Sequence, residues 1–284
     1  MINNDLEKIV AAIDYIEAHL NEKMELDMIS QAVHYSKYYL HRTFSKLVGM
    51  TIHEYVQRRK LTESGKLLVF SDKSILDIAL IAGYESQQAF TNIFTAMYKQ
   101  PPNKYRENEK FYPLQLKYEF GGKFSMPGDK EIQNLEIAFA EAADIPCWME
   151  LVRLVVDGFP HLYEDDYIQT LKGYISKGQA LIMKDGVTAV GILLFSLESG
   201  SIDFMGTHPI YKQMGIPKAF LKKVMGELIK NREISITTYR EGDRADPGYR
   251  KEIIGLGFSE AELLVEFGYP TQRFVLKEER GEDE

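Results

Sequence analysis

One helical pattern occurs twice in this chain, about fifty residues apart, and few folds accommodate that. LDMISQAV (Leu26 to Val33) places Leu26, Ile29 and Val33 at helical spacing. After a break at His34-Tyr35-Ser36, the next helical stretch sets Tyr35, Leu40, Phe44 and Leu47 on one stripe. Ser36 is suited to cap this second helix. Lys37, Tyr38, His41 and Arg42 fall on the opposite face. Further on, Ile75, Ile78, Ala79 and Ala82 form a short apolar helix. Gly83-Tyr84-Glu85-Ser86 is the turn, and Gln87 to Tyr98 is a second amphipathic helix with Phe90, Phe94 and Tyr98 inward. Ile29 and Val33 correspond to Ile78 and Ala82, and Leu40 and Phe44 to Phe90 and Phe94. Two short helices joined by a tight turn make a helix-turn-helix, and a repeated unit is stronger evidence than a single copy. Between the copies, Ile52 to Phe70 has the length of one long helix, which would fix their separation. Two reading helices must lie ~34 Å apart to enter successive major grooves on one face of DNA.

The net charge of −8 runs against a DNA-binding role until it is mapped along the chain. From Lys37 to Lys66 seven basic residues stand against two acidic ones, a net of +5, whereas the stretch to Asp27 has two basic against seven acidic, a net of −5. Phosphate attraction acts locally, within a Debye length of about 8 Å at physiological salt, so a basic stripe can bind DNA on an acidic protein. Taken alone the stripe also reads as a solvated helix face; the repeat favours DNA. Asp5 to Leu20 reads as an amphipathic helix (Leu6, Ile9, Val10, Ile13, Ile16) packed on the first unit.

At these residues the chain resembles the AraC/XylS family of bacterial transcription regulators. The resemblance runs over roughly Asp5 to Arg106 and is carried by HYSKYYLHRTFSKLVGMTIHEYVQRRKL, DIALIAGYESQQAFTNIF and PPNKYR. It implies that both helix-turn-helix units bind double-stranded promoter DNA and that RNA polymerase is a partner. Lys37, Tyr38, His41 and Arg42 in the first unit, and Gln87, Gln88, Thr91 and Asn92 in the second, become the base-reading candidates. The chemistry agrees: Arg pairs with guanine O6/N7, Gln or Asn with adenine, and Tyr or Thr can touch a thymine methyl. Ser36, Lys46, Arg58 and Lys60 are the phosphate candidates. Lys60 stands where the family usually has Arg, which keeps the charge and loses the fork. Asn92 stands where a basic residue is common.

With 284 residues, 45% of them apolar, the chain can hold two domains. Pro101-Pro102 and Asn108-Glu109-Lys110 mark the boundary, and Lys110 to Lys130 reads as a linker in which Leu114 to Phe120 alternates as a short strand. A mixed α/β order follows. Strands are expected near Leu135 to Ala140, Gln179 to Met183, Thr188 to Ser196, Ser201 to Thr207, Ile234 to Tyr239, Leu263 to Phe267 and Arg273 to Lys277, with a hairpin turn at Asp185-Gly186. Helices are expected from Ile145, from Tyr163 to Lys177, after Met214, and from Tyr249 to Leu256. Trp148 and Phe159 read as core. The tail ERGEDE reads as disordered. The fold class is therefore multidomain. An all-α double helix-turn-helix domain occupies residues 1–107, a linker 108–132, an α/β mixed-sheet domain 133–278, and an acidic tail 279–284.

In the strand-loop-helix from Ile202 to Leu228, successive backbone N–H groups aim at one point, which suits a pyrophosphate. Lys212, Lys218, Lys222 and Lys223 add positive charge. Here, over roughly Asn134 to Lys277, the chain resembles the GNAT superfamily of acyl-CoA-dependent N-acyltransferases, through YKQMGIPKAFL and LGF (Leu256 to Phe258). The resemblance implies acetyl-CoA or another acyl-CoA as ligand. Its pantetheine arm would pair with the backbone of Phe204, Met205, Gly206 and Thr207, and its pyrophosphate would meet Lys212, Gln213, Met214, Gly215, Ile216 and Lys218. Lys212 replaces the usual Arg or Gln, and Pro217 brings no N–H although it suits a first helical turn. Ile253 occupies the place of a Tyr that often serves as general acid, with Tyr249 one turn earlier. Asp203, Glu241 and Asp243 are the carboxylates open to a general-base role. Asp203, Tyr239 and Tyr249 are thus the candidate catalytic residues, and Tyr239 with Arg240 the candidate ligand contacts. His208, before Pro209, reads as a turn residue.

No run of eighteen apolar residues exists, so a membrane partner is not expected and the bacterial cytoplasm is. The lone Cys147 fits a reducing compartment. His19, His34, His53 and His161 show no metal spacing, so no metal site is expected. Two functions follow. One is a sequence-specific transcription regulator whose second domain binds an acyl-CoA or small-molecule effector. The other is an active N-acetyltransferase acting on an amine and carrying a DNA-binding domain. A homodimer is compatible with both.

Overall fold

Serine or threonine opens each central helix of the first half, and the repeat seen in the sequence returns in its hydrogen bonds. The computed structural model describes residues 2–119, 135–155, 164–212, 214–229, 232–266 and 269–276. In the first of two units, α1 (Ile2–Ala18) precedes α2 (Leu26–Ala32), α3 (Lys37–Val48), α4 (Ile52–Phe70), α5 (Ile75–Ile81), α6 (Gln87–Tyr98) and α7 (Pro102–Glu107). Ser36, Ser74 and Ser86 accept from the amides of Tyr39, Asp77 and Ala89, and Thr51 forms a capping box with Glu54. The two helix-turn-helix turns match bond for bond. Tyr35 N donates to Ser30 O and Tyr84 N to Ala79 O, both at 2.9 Å. The left-handed residue of the turn is His34 (φ +54°) in the first copy and Gly83 (φ +79°) in the second. Ile9, Ile13 and Ile16 of α1, Leu40 and Phe44 of α3, and Tyr55 of α4 are fully buried. A second aromatic core joins Phe90, Phe94, Tyr98 and Tyr105 through ring contacts.

Two expectations are corrected in this unit. The described residues 114–119 form no strand. With no strand neighbour in a helical unit, their polar backbone is met instead by side chains of α4. Thr62 Oγ1 accepts from the Leu114 and Gln115 amides (3.0 and 3.1 Å), Tyr55 Oη accepts from Tyr118 N (3.4 Å), and Arg59 Nη1 donates to Gln115 O (3.0 Å). Arg58 and Arg59 also leave the basic stripe: both are buried. Arg59 makes a two-pronged bond to the Glu17 carboxylate (2.8 and 2.7 Å), which ties α4 to α1.

The second unit is built on a seven-stranded sheet in the order β1-β2-β3-β4-β5-β7-β6. Its strands are β1 (Ile137–Phe139), β2 (Ala180–Asp185), β3 (Thr188–Phe195), β4 (Ser201–Thr207), β5 (Ile234–Tyr239), β6 (Ser259–Glu266) and β7 (Tyr269–Leu276), and its helices α8 (Ile145–Val155), α9 (Glu164–Ser176), α10 (Ile216–Lys223) and α11 (Tyr249–Gly255). β3 is apolar and buried on both faces from Ala189 to Phe195. All neighbours are antiparallel except β4 and β5, which pair in parallel only at Ser201↔Ser235 and Ile202↔Ile236. Beyond Ile202 the two strands part, so their C-terminal halves flank an opening in the sheet.

Several boundaries shift from expectation. Asp185 still pairs with Thr188, so Gly186-Val187 make the hairpin turn, following a register shift at Met183/Lys184. β6 begins at Ser259, where charged residues mask its alternation, and β7 begins at Tyr269, with Pro270 paired to Val265 near the strand start. α10 passes into a π-helical turn at Val224–Leu228. Gln213, Phe159, His161, the linker from residue 120 on and the acidic tail lie outside the described residues.

Candidate nucleic-acid interface and ligand cleft

The face of α3 opposite Leu40 and Phe44 is open. Lys37, Tyr38, His41, Arg42 and Lys46 are exposed, Tyr38 at 76%. Lys37 forms an ion pair with Asp27. The Ser36 hydroxyl, in capping the helix, leaves its own O–H free to donate. The helix start is anchored from α1: Asp5 accepts from Tyr35 Oη at 2.6 Å and from Tyr39 Oη at 3.0 Å, while Lys8 Nζ lies 4.2 Å from the Tyr35 ring centroid. Burial and the Asp5 carboxylate hold the Tyr35 phenol well above its usual range, so it stays protonated as a donor.

On α6, Gln87, Gln88 and Asn92 are exposed and Thr91 is half-buried. Gln88 Nε2 donates to Asn92 Oδ1 at 2.8 Å, an i,i+4 pair worth about 0.2–0.5 kcal/mol to the helix. Its greater effect is to orient the two amides.

Two phosphate candidates fall away. Arg58 is 4% exposed on the inner side of α4. Lys60 Nζ donates to Glu22 O at 2.8 Å, and a Cβ on Gly83 would stand 2.9 Å from it, so Lys60 bridges the α1–α2 connection and the second turn. Burial lowers its ammonium below the usual lysine range. The charge count missed this because nothing local announces that these cations are occupied. Ser36 and Lys46 keep open positions.

In the second unit several side chains converge on the C-terminal half of β4. Gly206 is pressed against α8: a Cβ there would lie 2.9 Å from Val155 Cγ2. Val155 O in turn accepts from Tyr249 Oη at 2.8 Å, which brings α11 to the opening between β4 and β5. Tyr239, at the end of β5, stacks on Tyr249 (centroids 6.4 Å apart), and Lys212 Nζ lies 5.7 Å from the Tyr249 centroid. Glu252, which sequence reasoning passed over, lies one turn after Tyr249. Burial raises its carboxyl above the usual range, and nearby Lys212 partly offsets that. Ile253, in the place of the missing tyrosine, is buried.

The loop after β4 offers fewer donors than the motif suggests. Lys212 N and Met214 N donate within their own turn, to Pro209 O (3.2 Å) and Tyr211 O (3.0 Å). Gly215 is left-handed (φ +72°) and precedes α10, whose first-turn amides come from Ile216 and Lys218, since Pro217 has none. Gly191 lets α10 press on β3, for a Cβ there would sit 2.5 Å from Ile216 Cγ2. Lys218 is exposed at the helix mouth.

Other candidates are occupied. Asp203 accepts from Tyr174 Oη and Ser201 Oγ, both at 2.6 Å, so both its oxygens are engaged at the surface. Asp243 accepts from Tyr269 Oη (2.9 Å) and Ala245 N (2.8 Å). Arg240 donates to Thr271 O (3.0 Å) and Leu264 O (2.6 Å), clipping the end of β5 to β7 and β6 rather than facing a ligand. Glu241 is exposed. His208 is buried, its Nδ1 accepts from Ile210 N at 3.3 Å, and burial pushes its pKa down to about 4. Among the described residues no group of three or more His, Cys, Asp or Glu is gathered to hold a metal, and no helix is long and apolar enough to cross a membrane.

The helix-turn-helix domain family matches residues 29–108. The uncharacterized HTH-type transcriptional regulator YbfP of Bacillus subtilis is 42% identical over 94 residues, covering 33% of this chain and 32% of that protein, so the chain spans about a third of that relative's length. The probable transcription factor PqrA of Proteus vulgaris is 43% identical over 98 residues, covering 34% of this chain and 80% of the relative. The multiple antibiotic resistance protein MarA of Escherichia coli is 38% identical over 104 residues, covering 37% and 82%. Among solved structures, an AraC-type DNA-binding-domain regulator from Chromobacterium violaceum is 26% identical with a TM-score of 0.36, covering 37% of this chain and 93% of that one. A GNAT-family acetyltransferase from Bacillus cereus is 16% identical with a TM-score of 0.41, covering 51% and 99%.

Proposed function

Because the chain belongs to the AraC family of sequence-specific DNA-binding transcriptional regulators, we propose that it is a ligand-responsive member. In this reading α3 and α6 read promoter DNA, and the opening between β4 and β5 takes an acyl-CoA or a small effector. The observation that carries the second half is the parting of β4 from β5 after Ile202, which leaves the β4 edge from Asp203 to Thr207 without a β5 partner. An extended ligand arm with amide groups can pair along such an edge. Gly206 keeps that stretch close to α8, Tyr239 and Tyr249 supply aromatic walls, and Lys218 with the Ile216 and Lys218 amides favours a phosphate at the helix mouth. The reduced donor set suits reversible holding more than tight capture.

For the ligand to regulate anything, it must bind the DNA-bound and free chains with different affinity, and the coupling is then reciprocal. Its readout would pass to RNA polymerase at the promoter. Residues 114–118 are strapped to α4 through Thr62 and Tyr55. The test is a calorimetric titration of the full chain with acetyl-CoA. Micromolar binding, weakened at least tenfold by Gly206→Val, supports the reading. Absence of binding at millimolar acetyl-CoA would reject acetyl-CoA as the ligand.

One arrangement favours a second reading, an active N-acetyltransferase: Tyr249 stacks on Tyr239 at the end of β5 with its hydroxyl held by Val155 O, a bond it would have to exchange, and Glu252, whose carboxyl burial raises above the usual range, follows one turn later. An amine nitrogen would attack the thioester carbon, forming the C–N bond as the C–S bond breaks. Tyr249 would give its proton to the leaving thiolate, and Glu252 would take one from the amine. Turnover with a panel of amines separates the two readings, and Tyr249→Phe should abolish it while leaving acetyl-CoA binding intact.

A further inference from the structure

The two reading helices differ in kind. Aligned through the repeat, Lys37, Tyr38, His41 and Arg42 of α3 correspond to Gln87, Gln88, Thr91 and Asn92 of α6. α3 carries Lys37, Arg42 and Lys46, whereas α6 has no charged residue from Gln87 to Tyr98. Where α3 has Arg42, α6 has Asn92, whose Oδ1 accepts the 2.8 Å bond from Gln88 Nε2 one turn earlier. Both side chains are exposed.

That bond uses one of the two amide hydrogens of Gln88 and ties the direction its amide faces to that of Asn92, which here presents Oδ1. Turned over, Gln88 would set its Oε1 against Asn92 Oδ1, acceptor against acceptor. What remains on Gln88 is Oε1 beside the second N–H, an acceptor and a donor side by side. The major-groove edge of adenine is complementary, with a donor at N6 and an acceptor at N7, and no other base presents that pair.

We propose, on the premise that α6 reads DNA, that Gln88 reads a single adenine and that Asn92 acts as its positioning residue, so the two amides form one reading group. A further consequence concerns salt. With no charged side chain, α6 adds base preference with little counterion release, and the salt dependence of binding comes from α3 and its neighbours.

The test uses the full chain to select sites from a random pool of duplexes, followed by competition titrations. Gln88→Ala should lower the preference for A·T at one position by about 5- to 150-fold. Asn92→Ala should relax that same position by part of this amount and no other. The double variant should do no worse than Gln88→Ala, and the salt slope should stay at its wild-type value in all three. Asn92→Asp retains the acceptor, so adenine should remain preferred there although overall affinity falls. Relaxation of a second position by Asn92→Ala, or additive losses in the double variant, would mean that Asn92 reads its own base and would overturn the proposal. An unchanged profile for Gln88→Ala, alongside a relaxed position for Arg42→Ala, would reject the α6 assignment while leaving α3 intact. If the wild-type chain enriches no sequence, the DNA-reading premise fails as well.

Discussion

Thr62 holds the segment that leaves the helical unit, and Thr62→Val isolates that role. Its Oγ1 accepts from the amides of Leu114 and Gln115, at 3.0 and 3.1 Å, and all three residues are buried. Valine has nearly the same shape, so no cavity opens, but both amides lose their acceptor away from water. Each unsatisfied buried donor costs about 1–3 kcal/mol, which gives about 2–6 kcal/mol, and removing the hydroxyl's own burial returns part of that. A loss of about 3 kcal/mol is expected. Thr62→Ser keeps the oxygen and removes one buried methyl, so it should cost only about 1 kcal/mol. Urea unfolding separates the units: Trp148, the only tryptophan, lies in the second one, while far-ultraviolet circular dichroism reports the helical one as well. The valine variant should shift the helical transition and leave the Trp148 transition in place. A valine variant within about 0.5 kcal/mol of wild type, or a serine variant that is the less stable of the two, would refute the assignment.

Arg42→Ala should cost about 1–3 kcal/mol at the selected site and relax one base position, whereas Lys46→Ala should weaken all sequences alike and flatten the salt slope; equal losses for Arg42→Ala on selected and random duplexes would contradict this. Glu17→Ala leaves the buried Arg59 guanidinium without its two-pronged partner and should cost about 3–5 kcal/mol, measured as a shift in the helical unfolding midpoint. The folded second unit keeps His208 neutral, with its pKa pushed down to about 4 from the usual 6.5, while the unfolded chain takes up a proton below 6.5. Stability of that unit should therefore be full above about pH 6.5 and fall by about 3 kcal/mol as the pH drops to 4. His208→Asn should flatten that dependence of the Trp148 transition, and an unaltered slope would show that another group sets it.

What the sequence revealed most directly were features decided locally. Ser36 marks the start of α3, and the structure begins α4 at Ile52 and α6 at Gln87, where the spacing puts them. The open face of α3 followed from spacing, because the residues opposite it are the apolar stripe, whereas that of α6 was named through the family resemblance. Features decided by distant partners were illegible. Arg58 and Arg59 look like part of a basic stripe until α1 supplies Glu17 from the other side of the core. The alternation of Leu114 to Phe120 resembles a strand, yet the nearby acceptors are Thr62 and Tyr55 on a helix. In the second unit the succession of strands and helices along the chain could be anticipated, but not the order of the strands in the sheet, the early end of β4–β5 pairing, or the meeting of Val155, Gly206 and Tyr249 across long sequence separations. Glu252 escaped notice because its charge resembles that of any exposed helix residue, and only burial beside Lys212 distinguishes it.

The most direct single measurement is a fluorescence-anisotropy titration of the full chain on its selected duplex, repeated at acetyl-CoA concentrations from micromolar to millimolar. A ligand-responsive regulator should show a midpoint that moves at least about fivefold and saturates in the micromolar range. A DNA affinity that is the same at every acetyl-CoA concentration would contradict acetyl-CoA control of DNA binding.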